Sequence, residues 1–113
     1  MSRQRAERRG RQAESLAALW LMAKGWRIVA RRRRLPMIEV DIVAKRGSVL
    51  AVVEVKRRQT MEAALCALTP WAAERLRSAA RQLAAEAGPG TSGRVDLIAL
   101  APGRWPRHIA GVQ

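Results

Sequence analysis

The stretch IEVDIVAKRGSVLAVVEVK, residues 38–56, decides the fold of this 113-residue chain. Apolar residues alternate with other side chains on both sides of Arg46 and Gly47, which predicts two strands joined by a tight hairpin loop. A half-buried sheet should be aliphatic here, yet four charged residues interrupt the strands: Glu39, Asp41, Glu54 and Lys56. The chemistry of the chain depends on where these charges meet.

The pairing of the two strands sets which carboxylates face each other. With a two-residue loop at 46–47, Asp41 faces Val52 and Glu39 faces Glu54. A four-residue loop puts Asp41 directly opposite Glu54. In either register the charges share a face, and the Cβ atoms of facing or diagonal residues lie about 5–7 Å apart. Clustered carboxylates repel one another and lose hydration, so the pattern predicts a bound divalent cation.

The residue types suit Mg²⁺ or Mn²⁺, which prefer oxygen ligands. The candidate metal ligands are Asp41, Glu54 and the backbone carbonyl of Val55. Lys56, two residues beyond Glu54 on the same face, would orient an attacking water or contact a phosphate. Glu14 lies one residue off the apolar stripe of the first predicted helix, and it either reaches the sheet edge as a further catalytic group or is a solvated residue. These groups predict metal-dependent hydrolysis of a phosphodiester.

The charge of the chain points to a polyanionic partner. Its formal net charge is +13, and residues 1–34 hold eleven Arg and Lys against two Glu. Nucleic acid, with DNA favoured, is the predicted partner, ahead of an anionic membrane surface. Two basic runs are candidate phosphate contacts: Arg31, Arg32, Arg33, Arg34, Arg57 and Arg58. A run such as 31–34 is also typical of a solvated loop in which the charges repel.

The apolar residues argue for a cytoplasmic protein without a membrane partner. Cys66 is the only cysteine, which excludes an intrachain disulfide, fits a reducing compartment and predicts a packing role. No apolar run reaches membrane-spanning length. The four tryptophans are scattered rather than interleaved with the basic runs, which predicts packing rather than base stacking. They are Trp20, Trp26, Trp71 and Trp105.

Periodicity and capping residues divide the chain into a basic arm or frayed helix start at residues 1–9 and one domain at residues 10–113. A helix is predicted over 10–24, capped by Gly25 and with one apolar stripe: Ala13, Leu16, Ala17, Trp20 and Ala23. A strand at 26–30 precedes the two opening strands, and residues 60–68 form either a short helix or a packed loop. Thr69 and Pro70 begin a helix that stops at Gly88. Strands at 95–101 and 108–112 complete the chain.

The order helix, three strands, helix, strand predicts a three-layer α/β domain with a mixed sheet. Hairpin-connected strands are antiparallel, so the first three form a meander, and the second helix is the crossover to a further strand. On that strand, Asp96 is predicted to pair with an arginine such as Arg94 rather than to support the site. His108 is the only histidine and lies near the C-terminus, which disfavours a histidine-based nuclease.

Four segments carry a resemblance to a known family, in order and over nearly the whole chain: RGRQAESLAALWLMAKGWRIVARRRR, EVDIVAKRGSVLAVVEVKRR, LTPWAAERLRSAARQLA and GRVDLIAL. They resemble the bacterial YraN-like family, which is similar to the restriction-endonuclease-like superfamily and to archaeal Holliday junction resolvases. The resemblance implies a nuclease-like core whose D and E-x-K motif falls on Asp41, Glu54 and Lys56, with the first-helix glutamate at Glu14. It also implies Mg²⁺-dependent nuclease activity and, as in resolvases, a homodimer.

Two departures from the family pattern shape the functional hypotheses. Ile38 stands where a glycine usually precedes the E-I-D strand, and Trp71, Ala72 and Ala73 stand where the second helix commonly opens T-P-R-K-Q. The leading hypothesis is a metal-dependent endonuclease acting on branched, damaged or single-stranded DNA. The missing polar groups favour the alternative, a non-catalytic nucleic-acid-binding module with the same fold. A third hypothesis is an adaptor that presents its basic face to an acidic protein.

Overall fold

The chain folds into a five-stranded mixed sheet with helices packed on both faces. The computed structural model describes residues 3–113, and for residues 3–9 it describes the backbone alone. In chain order the elements are α1 (Arg3–Ala23), β1 (Arg27–Arg34), β2 (Glu39–Arg46), β3 (Val49–Arg57), α2 (Met61–Leu65), α3 (Pro70–Ala87), β4 (Ser92–Leu100) and β5 (Arg107–Ile109). The predicted α/β class with a mixed sheet is confirmed.

The strands lie side by side in their chain order. β1, β2 and β3 form the predicted antiparallel meander, and α3 is the crossover that returns the chain parallel to β3 as β4. β5 adds an antiparallel edge beside β4. The segment 60–68, for which the sequence allows a short helix or a loop, contains the short helix α2.

α1 is longer than the predicted helix, and its buried stripe is rotated. It begins at Arg3, so the backbone of residues 3–9 is helical, whereas the rest of the predicted arm, residues 1–2, lies outside the described residues. Ala17 and Leu21 are fully buried, while Leu16 is 49% exposed, so the prediction that Leu16 faces the sheet is wrong. The small residues allow the helix to pack closely, which leaves the bulkier Leu16 outside. No helix in the described part of the chain is long and apolar enough to cross a membrane.

The predicted cap at Gly25 is confirmed. The backbone N–H of Trp26 donates to the carbonyl of Leu21, and the N–H of Gly25 donates to that of Met22, both at 3.0 Å. These two bonds are the Schellman arrangement, which needs a left-handed residue after the helix. Gly25 supplies it with φ of 92°. The sharp turn sends the chain directly into β1.

α3 begins where the sequence predicts. Thr69 Oγ1 accepts the backbone N–H of Ala72 at 3.1 Å, and Pro70 is the first helical residue. Further along, the helix lies very close to β4, where a Cβ on Gly93 would lie 2.4 Å from the carbonyl oxygen of Ala80. Glycine at this position is therefore a packing requirement.

Two apolar layers separate the sheet from its helices. The layer under α1 includes Ala17, Leu21, Trp26, Ile42, Val53 and Ile98. The layer under α3 includes Leu35, Val40, Val43, Val52, Leu76 and Val95. Each strand in the middle of the sheet contributes residues to both layers, as alternation of side chains requires.

The hairpin between β2 and β3 has neither the two-residue loop at 46–47 nor the four-residue loop that the sequence leaves open. Arg46 pairs with Val49, so the two-residue loop is Gly47 and Ser48. The resulting register is the one that the sequence associates with a longer loop, in which Asp41 is level with Glu54. The physical reason is the position of Gly47, whose φ is 60° and which comes first in the loop, as glycine does in type II′ hairpins.

Three further expectations about exposed residues are wrong. The arginines at 31–34 do not form a loop but the second half of β1, an edge strand of the sheet. Cys66 is exposed rather than packed, because α2 ends just before it. Trp71 and Trp105 are 63% and 80% exposed, because neither lies on the face of its segment that meets the sheet, whereas Trp26 is buried as predicted.

Candidate active site

The site predicted on the opening stretch lies where β2 begins and β3 ends. The last paired residues of the two strands at this end are Ile42 and Val53. Beyond them the Asp41 side chain takes over from the backbone: its Oδ2 accepts the N–H of Val55 at 2.8 Å. Asp41 therefore bridges the strands at the point where β2 diverges from β3.

Glu54 is 9% exposed, and the half-buried Asp41 lies level with it on β2. Burial, followed by the neighbouring side chain of Asp41, raises the pKa of Glu54 from its ordinary value of 4.5 to about 8. A buried carboxyl group with a raised pKa beside a second carboxyl group is a feature of catalytic and metal sites.

Lys56 completes the group that the structure brings together. It is half-buried on β3, two residues beyond Glu54, and is paired across the sheet with Ala99. Its charge lowers the pKa of Glu54, but by less than burial and Asp41 raise it. Asp41, Glu54 and Lys56 thus lie at one end of the hairpin, where the charge of Lys56 acts on Glu54.

Glu14 is held by two arginines of β1, and its catalytic role stays a prediction. Its Oε1 lies 3.1 Å from Nε of Arg32 and 3.7 Å from Nη2 of Arg31. Consecutive residues of a strand normally point to opposite faces. Arg32 has φ of 52°, the left-handed region, and this interruption lets both guanidinium groups meet one carboxylate. In the ladder Arg32 is level with Asp41, so Glu14 contacts the sheet at the height of the site through arginine.

The other predicted phosphate contacts are divided between two parts of the surface. Arg33 and Arg34 are exposed on β1 and lie 3.8 Å and 3.3 Å from Glu86 and Glu39. Arg57 is exposed directly after Lys56, and Nη1 of Arg58 donates to its carbonyl at 2.8 Å. Arg57 also lines a cavity of about 330 Å³ together with residues of α1 and the segment 100–104. All six arginines are exposed, but those of β1 are held in ion pairs.

The start of α3 packs on the same apolar layer as the start of β2. Leu68 and Leu76 pack in the same apolar layer as Val40, the residue before Asp41. At the first helical turn the side chains of Ala72 and Ala73 are methyl groups, and Ala73 is buried. The helix therefore offers the site no polar side chain at these two positions.

The donor set fits the predicted Mg²⁺. In residues whose side chains are described, no group of three or more His, Cys, Asp and Glu is arranged to hold a metal. Asp41 and Glu54 are instead a pair, and the carbonyl of Val55 follows directly in the chain. Mg²⁺ commonly takes one or two carboxylates and completes its shell with water and phosphate oxygens. The raised pKa of Glu54 beside Asp41 marks a position where a cation would neutralise both carboxyl groups.

A second polar cluster, which sequence reasoning found only in part, lies around Asp96. This carboxylate is fully buried and receives two bonds from Arg94, at 2.9 and 3.2 Å, as predicted. It also contacts His108 Nε2 at 2.7 Å and accepts the N–H of Gly111 at 3.0 Å. Burial alone would raise the pKa of Asp96, but the bonds from His108 and Arg94 outweigh it and hold the pKa below its ordinary value. The cluster anchors β5 and the C-terminal segment to β4.

The sequence signal for this cluster is an aspartate between valine and leucine in a predicted strand, a position where burial is expected. An isolated charge there costs several kcal/mol unless it is paired, so the pattern requires partners but does not name them. Nδ1 of His108 lies 2.7 Å from Nζ of Lys24 at the end of α1, a contact between residues 84 positions apart. Such a partner follows only from the tertiary fold.

Comparison with known proteins identifies the family. The model of "Uncharacterised protein family UPF0102" matches residues 13–100, which include Glu14, Asp41, Glu54 and Lys56. A UPF0102 protein of Caulobacter vibrioides is 56% identical over 106 residues, covering 92% of this chain and 85% of the relative. One of Erythrobacter litoralis is 50% identical over 111 residues, covering 97% and 96%. UPF0102 protein R00337 of Rhizobium meliloti is 46% identical over 107 residues, covering 93% and 88%. The chain therefore belongs to the UPF0102 family.

Proposed function

We propose that this protein is a Mg²⁺-dependent endonuclease that hydrolyses phosphodiester bonds in DNA, with branched or single-stranded DNA as its substrate. The observation that carries the proposal is the buried carboxyl group of Glu54, level with Asp41 across the hairpin and with Lys56 two residues beyond it. Such a pair is unfavourable for folding without a cation, because it buries the carboxyl group of Glu54 next to that of Asp41. The net charge of +13 supports a polyanionic substrate.

The roles of the residues follow from their positions. Asp41 and Glu54, with the carbonyl of Val55, would hold Mg²⁺. The ion would supply charge neutralisation at the phosphate and a more acidic water. Lys56 holds a positive charge next to Glu54, where it would orient the attacking water or bind a phosphate oxygen. Exposed Arg57, the next residue of β3, would contact the flanking backbone of the substrate.

The order of elements supports a restriction-endonuclease-like core for the same proposal. In that arrangement the D and E-x-K residues stand on the second and third strands of the meander, and here they stand on β2 and β3. Glu14, the first-helix glutamate of the pattern, would then act by positioning Arg31 and Arg32 near the site rather than by binding the metal. A homodimer like that of resolvases belongs to this proposal.

Cleavage of a DNA panel tests the proposal. Linear duplex, single-stranded and four-way-junction DNA are incubated with the protein in Mg²⁺, Mn²⁺ or EDTA. Metal-dependent cleavage is expected, with a loss of about 100-fold or more in Asp41→Asn and in Lys56→Met. Lys45→Met is the matched control, because Lys45 is a half-buried lysine near the opposite end of the same hairpin. Cleavage that persists in all three variants, or appears in none of the preparations including wild type, refutes the nuclease.

One observation favours a second candidate function, a nucleic-acid-binding module without turnover. The first turn of α3, which packs on the same apolar layer as the start of β2, carries only methyl groups at residues 72 and 73, and these cannot assist a reaction. This candidate predicts binding that weakens steeply with salt and does not respond to divalent metal. Calorimetric titration with Mn²⁺ separates the two: a binding isotherm that Glu54→Gln abolishes contradicts the module without a metal.

A further inference from the structure

Trp71 forms an exposed aromatic surface that the core does not use. It is the second residue of α3, and 63% of it is exposed. The guanidinium of Arg75 lies over its ring, with Cζ 3.5 Å from the ring centroid. Arg75 Nη1 also lies 3.5 Å from the carbonyl oxygen of Trp71, so the arginine is held from two directions. One face of the indole is covered by a cation, and the exposure of the residue leaves the ring accessible to a ligand.

This pair lies at the same end of the sheet as the carboxyl pair. Arg75 lines a cavity of about 140 Å³ with residues 35–38, the connection that leads into β2. The next helical turn places Leu76 in the apolar layer with Val40, which is adjacent to Asp41. A chain of nucleotides with one phosphate at the carboxyl pair would therefore extend past the start of α3.

The chemistry of the pair suits an unpaired nucleobase. Bases stack on exposed aromatic rings largely irrespective of their identity, and a guanidinium against the ring adds attraction for a polyanion. Bases inside a duplex already stack on their neighbours and present only their edges, so the ring would select unpaired nucleotides. The Trp71 and Arg75 side chains thus provide stacking and positive charge at one point.

Trp105 offers a contrast within the same chain. It is even more exposed, at 80%, but its ring is tilted 35° against that of Trp20 on α1, with the centroids 5.9 Å apart. It therefore lies on the α1 side, whereas Trp71 lies at the start of α3. Exposure alone does not distinguish the two tryptophans; position and the stacked arginine do.

We infer that Trp71, supported by Arg75, is a stacking platform for an unpaired nucleobase, which makes single-stranded DNA or the unpaired part of a branched DNA the preferred ligand. The inference rests on the proposed function, because it assigns the substrate class of the same site. It requires no cleavage, and binding alone can test it.

The test is fluorescence anisotropy with a labelled oligothymidylate of roughly 12 nucleotides and an abasic oligomer of equal length, at low salt in EDTA. Trp71→Ala is expected to weaken binding of the oligothymidylate by about 5- to 150-fold, the range for one stacked base. Binding of the abasic oligomer, which keeps the phosphates but has no bases, should change by less than about 2-fold. Trp105→Ala should leave both affinities unchanged.

A conservative variant and a cleavage assay complete the design. Trp71→Phe keeps an aromatic ring and is expected to recover most of the lost affinity. Equal losses for both oligomers, no loss in Trp71→Ala, or no preference of the wild type for the oligomer with bases would overturn the platform. If Trp71-dependent binding is found but no metal-dependent cleavage, the nuclease fails and the platform stands. If cleavage is found but Trp71→Ala binds like wild type, the platform alone fails.

Discussion

The backbone N–H of Val55 donates a 2.8 Å hydrogen bond to Oδ2 of Asp41. The bond replaces a rung of the β2–β3 ladder with a side chain, because the last paired residues at this end are Ile42 and Val53. Asp41 thus satisfies a main-chain donor of β3 while its side chain contributes to the raised pKa of Glu54. A structural and a chemical role coincide in one residue, and substitutions must separate them.

Two substitutions of Asp41 separate these roles. Asp41→Asn keeps an oxygen for the Val55 N–H and removes one acidic group from the pair, so the free energy of unfolding should stay within about 1 kcal/mol of wild type. Asp41→Ala leaves that donor without an acceptor and should cost about 1–3 kcal/mol. Urea denaturation without metal measures both values, and Mn²⁺ calorimetry should show the loss of metal binding in both variants. Asparagine as destabilising as alanine would contradict the assigned hydrogen bond.

The raised pKa of Glu54 predicts a pH dependence of the metal-free protein. A carboxyl group whose pKa is higher in the folded state stabilises the fold fully below its unfolded pKa of 4.5, and this stability is lost as the pH rises to about 8. The shift corresponds to roughly 5 kcal/mol at most. Glu54→Gln, which stays neutral, should therefore be more stable than wild type at pH 9 in EDTA and differ little from it at pH 5.

Urea denaturation at pH 5, 7 and 9 measures this difference for Glu54→Gln. Glu62→Gln is the control, since it removes a carboxylate from the exposed first turn of α2, and its difference from wild type should not change in the same way. Mn²⁺ at pH 8 should stabilise wild type and leave Glu54→Gln unaffected, because a ligand that binds only the folded state adds to its stability. If the stability of Glu54→Gln relative to wild type fell as the pH rises, the buried, protonated carboxyl group of Glu54 would be excluded.

Strand alternation was enough to predict the meeting of Asp41, Glu54 and Lys56, because any even shift of the hairpin keeps them on one face. The loop itself stays open in the sequence, since RGS permits glycine at either loop position and only the fit of the twisted strands selects one. The partners of Glu14 could not be predicted at all. They depend on the left-handed backbone at Arg32, a conformation that arginine rarely adopts and that no local pattern signals.

The contact between Gly93 and α3 predicts a strong effect of one methyl group. A Cβ at this position would lie 2.4 Å from the carbonyl oxygen of Ala80 and 2.8 Å from its carbonyl carbon. These are backbone atoms and cannot move without shifting the helix, so Gly93→Ala should cost about 2–3 kcal/mol or more. Thermal unfolding should show a clear decrease in Tm.

Gly10→Ala is the matched control for this substitution. Gly10 lies within α1, is exposed and has nothing within 4 Å of the added methyl group. Alanine there should stabilise the protein by about 0.5–1 kcal/mol, because glycine is a poor helix former. Equal effects of the two substitutions would contradict the close packing of α3 against β4 at Gly93.

The cluster at Asp96 predicts that the protein loses folding stability at low pH, when this carboxylate becomes protonated. This carboxylate has a lowered pKa in the folded state, so its contribution is complete above its unfolded pKa near 4 and is lost as the pH falls through the folded value. Asp96→Asn should cost about 3 kcal/mol or more at pH 7, because it leaves Arg94 and His108 without their anion. The variant should also lose less stability than wild type between pH 5 and pH 3.

Urea denaturation at pH 7, 5 and 3 checks the prediction for Asp96, with Glu74→Gln as the control. Glu74 also pairs with an arginine, at 3.0 Å, but 64% of its side chain is exposed, so its removal should cost less than about 1 kcal/mol. Because Asp96 holds β5 through His108 and Gly111, its loss should also release the C-terminal segment, which faster amide hydrogen exchange at residues 107–112 would report. If wild type and Asp96→Asn lost the same stability between pH 5 and pH 3, the acid sensitivity would belong to another carboxyl group.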